Sequence, residues 1–312
     1  MWFGPNVQQP VQTDESVEPE DQSRHLQSQD PINWTPDTSD LKPILLVKHF
    51  FVCVGFIGLI IAVCTICEYE TKDIHLYRVS NALQGTILGP LAYEFVILRA
   101  SKQVYYPLSA INVLIYAMCK IKTLVPFIHK YFCSHPTKGA VYLSMFLSNF
   151  THESILHFGV NIFALNTFTP YSVKALGRLQ FVALYCCAGV FSCYVSTIYK
   201  VIMKRSTFTL GASGAIMGII VFGFAYGPTA PVAFIFLPSY RFPAYQALIA
   251  IISFEVAGLL SKWRYFDHAG HLGGSFFGMA WCYWGSPIIW DNRDMFLDYY
   301  ITVKDAVMRC IC

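Results

Sequence analysis

Residues 206–240 read STFTLGASGAIMGIIVFGFAYGPTAPVAFIFLPSY, thirty-five positions without a charge. One helix of that length would run about 50 Å, against about 30 Å of hydrocarbon in a bilayer. The run must therefore break, and Gly227-Pro228 is the natural breaking point. Its first part, about 211–226, reads as one membrane span. Its second part reads as the start of another, resuming around Ala244–Leu260.

The composition of the whole chain agrees. Of 312 residues, 55% are hydrophobic and only 13% charged, and mean hydropathy is +0.46. A soluble domain carries about 25% charged residues, so this surface does not face water alone. Aromatic residues at 16% suit membrane-interface belts. The net charge of +3 gives no reason to invoke nucleic acid. The cysteines lie mostly inside apolar runs (Cys53, Cys64, Cys67, Cys186, Cys187, Cys193) and read as packing residues. The fold class is an all-α polytopic membrane protein.

Other charge-free runs supply further spans: His49–Cys67, Gln103–Cys119, Ser154–Val173 entered from Leu143–Phe150, Leu179–Tyr199 and His268–Trp290. With the two above, that predicts seven. Residues 1–43 hold eight acids against Arg24 and Lys42 and read as a disordered polar tail. Residues 44–67 form the first span. Residues 68–104, including the mixed stretch Ala82–Leu98, read as a linker or interfacial segment. Residues 105–290 form a six-helix core, and 291–312 a C-terminal tail. Basic residues divide almost evenly between the two faces, so the positive-inside rule gives no orientation.

Polar groups inside a membrane are costly and mark functional positions. Three clusters stand out. The first, Gly211-Ala212-Ser213-Gly214-Ala215, opens the fifth span. Small neighbours leave Ser213 sterically open, and a helix start offers free N–H groups for an oxyanion. Taken alone, the cluster reads more readily as helix packing, with Gly214 and Gly218 as a close-approach pair. The second, Asp267-His268-Ala269-Gly270-His271-Leu272-Gly273-Gly274, opens the last span. Asp267 suits an N-cap. Either His268 or His271 would serve as a base. His271 shares a helix face with Gly274 and Gly278, a close-approach pair, and periodicity favours it modestly. The third cluster is His152, His157 and Asn161, with His157 and Asn161 one turn apart on one face. Each side chain offers an N–H donor to a developing negative oxygen. The three clusters open every second span, so all lie toward one face of the membrane.

His152-Glu153-Ser154-Ile155-Leu156-His157 superficially suggests a zinc-protease helix. That motif needs histidines at i and i+4. At i and i+5 they stand about 140° apart around a helix. No metal and no other cofactor is expected.

These residues, in this order and spacing, resemble the rhomboid intramembrane serine proteases. The motifs are Gly211-Ala212-Ser213-Gly214, His271-Leu272-Gly273-Gly274, and His152 with His157 and Asn161. The extra helix before the core, together with Phe234-Ile235-Phe236-Leu237-Pro238, resembles the mitochondrial branch. The resemblance implies a rhomboid six-helix bundle plus one extra N-terminal transmembrane helix. It implies Ser213 as nucleophile and His271 as general base of a dyad with no third acid. The oxyanion hole would be His157, Asn161 and the backbone N–H of Ser213. His152, Gly211, Gly214, Gly274 and Gly278 would support the site. Where many relatives carry an aromatic one turn past the serine, this chain has Met217, and its acidic tail departs from an ordinary mitochondrial import signal. Expected partners are the lipid bilayer and single-pass transmembrane substrates of the mitochondrial inner membrane. Two rival readings are a silent relative that binds or escorts membrane clients, and a transporter. Glu255, the lone acid in the core spans, has no evident partner in the sequence.

Overall fold

A computed structural model describes residues 44–71, 89–136, 142–234, 237–263 and 265–311. The tail 1–43 and the stretch 72–88 lie outside the described residues. The described part is a helical bundle. Its long helices are α1 (Ile44–Thr71) and α2 (Gly89–Met118), then α5 (Ile155–Leu176), α6 (Arg178–Ile202), α7 (Ser213–Tyr226), α8 (Ala244–Leu260) and α9 (His268–Ala280). Short helices α3 (Val125–Phe132) and α4 (Ser144–Leu147) lie between α2 and α5. Beyond α9 the chain continues as a wider π-helical segment over Trp281–Trp290, and α10 (Asp294–Ile311) follows.

Helix α6 is the axis of the fold. It packs against α1, α7 and α9, and Phe181, Ala183, Leu184, Tyr185, Cys187, Ala188 and Val190 on it are wholly buried. Around this axis the burial pattern departs from that of a soluble protein. Large apolar side chains such as Phe51, Leu91, Leu114, Ile155, Leu156 and Ile249 point outward, whereas Asn112, Ser196, His152, Asn161, Glu255 and His268 are buried. That pattern suits lipid outside and polar groups satisfied within. Among the described residues, α1 and α6 have the length and apolarity to cross a membrane, and Tyr93–Met118 of α2 passes the same test together with Lys122–Phe132, bent from it by 100°. Helix α7, at fourteen residues, is about 21 Å long, shorter than the about 30 Å of hydrocarbon, so its crossing must be completed by the chain at its ends. It is enclosed on several sides by α5, α6, α8 and α9, and nearly every residue from Gly214 to Ala225 is buried.

Three expectations need correction. The segment 68–104 is not all linker, because α1 runs on to Thr71 and α2 begins at Gly89, well before Gln103. Pro90 falls in the first turn of α2, where its missing N–H removes no helical bond. The polar residues of this stretch are matched by α5 and α6: Glu94 pairs with Lys174 at 2.9 Å, and Gln103 accepts from Arg178. Second, the apolar residues after Gly227 do not start a sixth helix. They form an antiparallel hairpin of β1 (Pro231–Phe234) and β2 (Leu237–Pro243). Pro231, Pro238 and Pro243 break helical bonding there, and α8 begins immediately after Pro243. Third, Leu143–Phe150 does not run into the helix of His157. It folds as α4 and a 3-10 turn, Ser148–Phe150. Ser154 then caps α5 by accepting from the His157 N–H at 3.1 Å. The C-terminal tail is itself helical, tied to α1 by Arg293–Glu68 at 2.6 Å and Lys304–Glu70 at 2.5 Å.

Candidate active site

Helices α7 and α9 meet backbone to backbone. A methyl group on Gly274 would stand 2.0 Å from the Gly214 carbonyl oxygen, and one on Gly278 would stand 2.0 Å from that of Gly218. Only hydrogen fits at either place. Gly214 and Gly218 themselves face α6, where added methyls would meet Ser192 Oγ at 1.9 Å and Ala188 Cβ at 2.5 Å. The four glycines are therefore two stacked close contacts that fix the separation of α7 and α9.

The first turns of both helices are fixed from the side. Asp267 caps α9, its Oδ1 accepting from the Gly270 N–H at 3.0 Å. Its Oδ2 accepts from Ser196 Oγ at 2.5 Å, with Lys200 Nζ 3.9 Å away. Burial alone would push the Asp267 carboxyl up. Lys200, the Ser196 hydroxyl and the Gly270 N–H reverse that and hold it below its usual range. Lys200 also donates to Phe208 O at 2.8 Å and Thr209 Oγ1 at 2.5 Å, which anchors the loop leading into α7. Gly211 ends that loop at φ +116°, a backbone region that side chains rarely adopt. Its N–H donates to Ser148 O at 2.9 Å.

This scaffold sets Ser213, the first residue of α7, opposite His271 on α9. Ser213 Oγ lies 2.8 Å from His271 Nε2. Of the two candidate bases, His271 is the one that reaches the serine. His157 closes the other side. A methyl on Gly211 would stand 2.9 Å from His157 Nε2 and 3.7 Å from Ser213 Oγ, so the ring and the hydroxyl border one small volume. Asn161 is buried one turn along α5, where its Nδ2 donates to His157 O at 2.7 Å. Its amide is thus engaged with its own helix. His152 is buried edge-on to His157 at 5.1 Å between ring centroids, and to Phe158 at 5.5 Å. Burial, with His157 alongside, pushes the His152 pKa down to about 3, so this ring is neutral at physiological pH.

Residues 140–288 match the rhomboid domain. Over 261 residues the chain is 34% identical to "Presenilin-associated rhomboid-like protein, mitochondrial" of Mus musculus, covering 80% of this chain and 69% of that protein. The protein of the same name in Homo sapiens is 33% identical over the same shares. The chain belongs to the rhomboid family. A more distant relative, "Rhomboid protein 1, mitochondrial" of Saccharomyces cerevisiae, is 28% identical over 62% of this chain and 56% of its own length. This rhomboid is a multi-pass integral membrane protein whose relatives bear mitochondrial names.

One residue of this rhomboid's site was not assigned from the sequence. Glu255 on α8 is buried beside the pair, with Oε1 2.9 Å from His271 Nδ1 and Oε2 2.5 Å from His268 Nδ1. The sequence signal was its place as a lone acid in an apolar span. The partners were not visible, because they lie thirteen and sixteen residues away on another helix.

Proposed function

We propose that this rhomboid is an intramembrane serine endopeptidase of the mitochondrial inner membrane. Its substrates are single-pass membrane proteins, cut in or near their transmembrane segments. The observation that carries the reading is the 2.8 Å contact between Ser213 Oγ and His271 Nε2. A hydroxyl within hydrogen-bond reach of an imidazole is the arrangement an activated nucleophile requires.

The steps follow from the atoms. Ser213 Oγ attacks the scissile carbonyl carbon as its proton moves to His271 Nε2. The carbonyl electron pair becomes an oxyanion. The His271 imidazolium then gives that proton to the leaving amide nitrogen as the C–N bond breaks. Water, deprotonated by the same nitrogen, hydrolyses the acyl-enzyme and returns Ser213. The oxyanion is held by the free N–H of Ser213 at the start of α7, by the His157 ring, and by the second N–H of the Asn161 amide. Each such donor contributes roughly 10²–10³-fold in rate. We assign the approach of water to the polar side that carries Ser148, Asn149, Thr151 and His152, all of them buried. We assign seven crossings, six in the core and one in α1, which put the amino terminus on the active-site face.

The test is cleavage of a single-span reporter in liposomes by the purified full chain, compared with Ser213→Ala and His271→Ala. Wild type should cut and neither variant should. Cleavage by Ser213→Ala would overturn the reading. A wild-type protein that binds several reporters and cuts none would favour a silent, client-binding rhomboid.

A further inference from the structure

Glu255 sits in α8 among Ile251, Ile252, Phe254 and Val256. A carboxylate in such a helix is strongly unfavourable unless it is paired. Glu255 is 5% exposed, and both its oxygens are taken by imidazole nitrogens. The fit around it is close. His268 is 3% exposed, and a methyl on Gly258, three residues past Glu255, would stand 2.3 Å from His268 Nε2. Glycine at 258 is what admits the second imidazole.

The geometry also assigns protons. A carboxylate accepts hydrogen bonds and donates none. His271 Nδ1, 2.9 Å from Oε1, therefore carries the ring proton. The opposite nitrogen, Nε2, is left with its lone pair directed at Ser213 Oγ. The same logic puts a proton on His268 Nδ1, which holds the other carboxylate oxygen at 2.5 Å.

We propose that Glu255 is a positioning residue for catalysis. It fixes His271 in the tautomer and rotation of a general base, and stabilises the imidazolium formed when Ser213 gives up its proton, while His268 clamps the second carboxylate oxygen. The inference rests on the protease reading above. The bonds made and broken are those already given. The Ser213 proton goes to Nε2 and on to the leaving nitrogen. Nδ1 keeps its own proton throughout, and Glu255 remains a carboxylate. What the sequence and the family resemblance present as a dyad works here as a three-part relay of orientation. A purely structural tie between α8 and α9 would use the same contacts, yet it makes a different demand. It would govern stability and leave turnover in the folded protein unchanged.

The experiment measures kcat and KM for the single-span reporter in liposomes with full-length wild type, Glu255→Gln and Glu255→Asp. Labelling of Ser213 by a fluorophosphonate and the unfolding temperature are read on the same preparations. Glutamine keeps the shape and removes the charge. Its kcat should fall by about 10⁴-fold, the loss seen when the acid behind a catalytic histidine is removed, with KM within about twofold and labelling slowed in parallel. Aspartate keeps the charge but retracts it by about one bond, about 1.5 Å, and should fall between the two. Folded Glu255→Gln with wild-type kcat and labelling would overturn the inference while leaving the protease reading intact. If the glutamine variant does not fold, aspartate decides: reduced kcat at unchanged unfolding temperature supports the role, and wild-type kcat refutes it. A wild type that neither cuts nor labels would remove the protease reading and this inference with it.

Discussion

Gly274→Ala is the sharpest test of how this site is built. The methyl would lie 2.0 Å from the Gly214 carbonyl oxygen and 2.8 Å from its carbon. Carbon and carbonyl oxygen approach to about 3.3 Å at closest, so α7 and α9 must part by about 1.3 Å. The obstacle is backbone within a helix and cannot swing aside. Gly274 stands one turn beyond His271, and Gly214 adjoins Ser213, so the separation acts on the reacting pair directly. The Ser213–His271 contact, 2.8 Å at rest, would lengthen toward 4 Å and cease to be a hydrogen bond. Misplacement of about 1 Å costs on the order of 10²-fold in rate, and overpacking costs about 1–3 kcal/mol in stability. Reporter cleavage by folded Gly274→Ala should therefore fall about a hundredfold, with a lowered unfolding temperature. Gly278→Ala makes an equally short contact, with Gly218, but one turn farther from the chemistry. It should lose comparable stability and less activity. Gly55→Ala is the control, since a methyl there meets nothing within 4 Å. Wild-type turnover in folded Gly274→Ala would refute the claim that the two glycine contacts set the dyad distance.

Two further predictions concern the supports of the site. Asp267→Ala removes the cap of α9, worth about 1 kcal/mol, and also the carboxylate facing buried Lys200; Asp267→Asn keeps the cap and should lose less, as unfolding temperatures would report. His152 is held neutral in the fold, with its pKa pushed down to about 3, so the unfolded chain binds a proton there that the folded chain does not. Stability should therefore decline as pH falls from about 6.5 toward 3, by at most about 1.4 kcal/mol per pH unit. A His152→Phe variant should show a shallower decline, and an unchanged slope would contradict this origin.

Much of this architecture is legible in the sequence because lipid simplifies the reading. Runs without charge locate α1, α5, α6, α7 and the start of α9 to within a few residues, since few other segments tolerate such runs, and α8 is an apolar run charged only at Glu255. Ser213 and His271 are legible for a second reason. Each opens a helix beside a glycine repeat, and glycine repeats say where two helices touch. The failures share a cause as well. Helix α2 extends back to Gly89 because Lys174 at the end of α5 and Arg178 at the start of α6 match its polar residues, and such pairings are invisible to a hydropathy run. The hairpin at 231–243 is apolar enough for a span, and its prolines, not its hydropathy, decide its form.

Glu255 shows where such a reading ends. Its helix is apolar nearly all round, so periodicity does not say which way the carboxylate points. The orientation comes from α8 packing on α7 and α9, and from Gly258, which gives His268 its space. Once that rotation is set, the lone acid becomes intelligible. The bilayer penalises an ionised group unless it has partners, and here the partners are two imidazoles, one of them already touching Ser213. The same penalty that makes Glu255 conspicuous favours keeping it paired. A carboxylate that left His271 would lose one of its two partners in a buried site. A strong restoring force therefore acts on the orientation of the base.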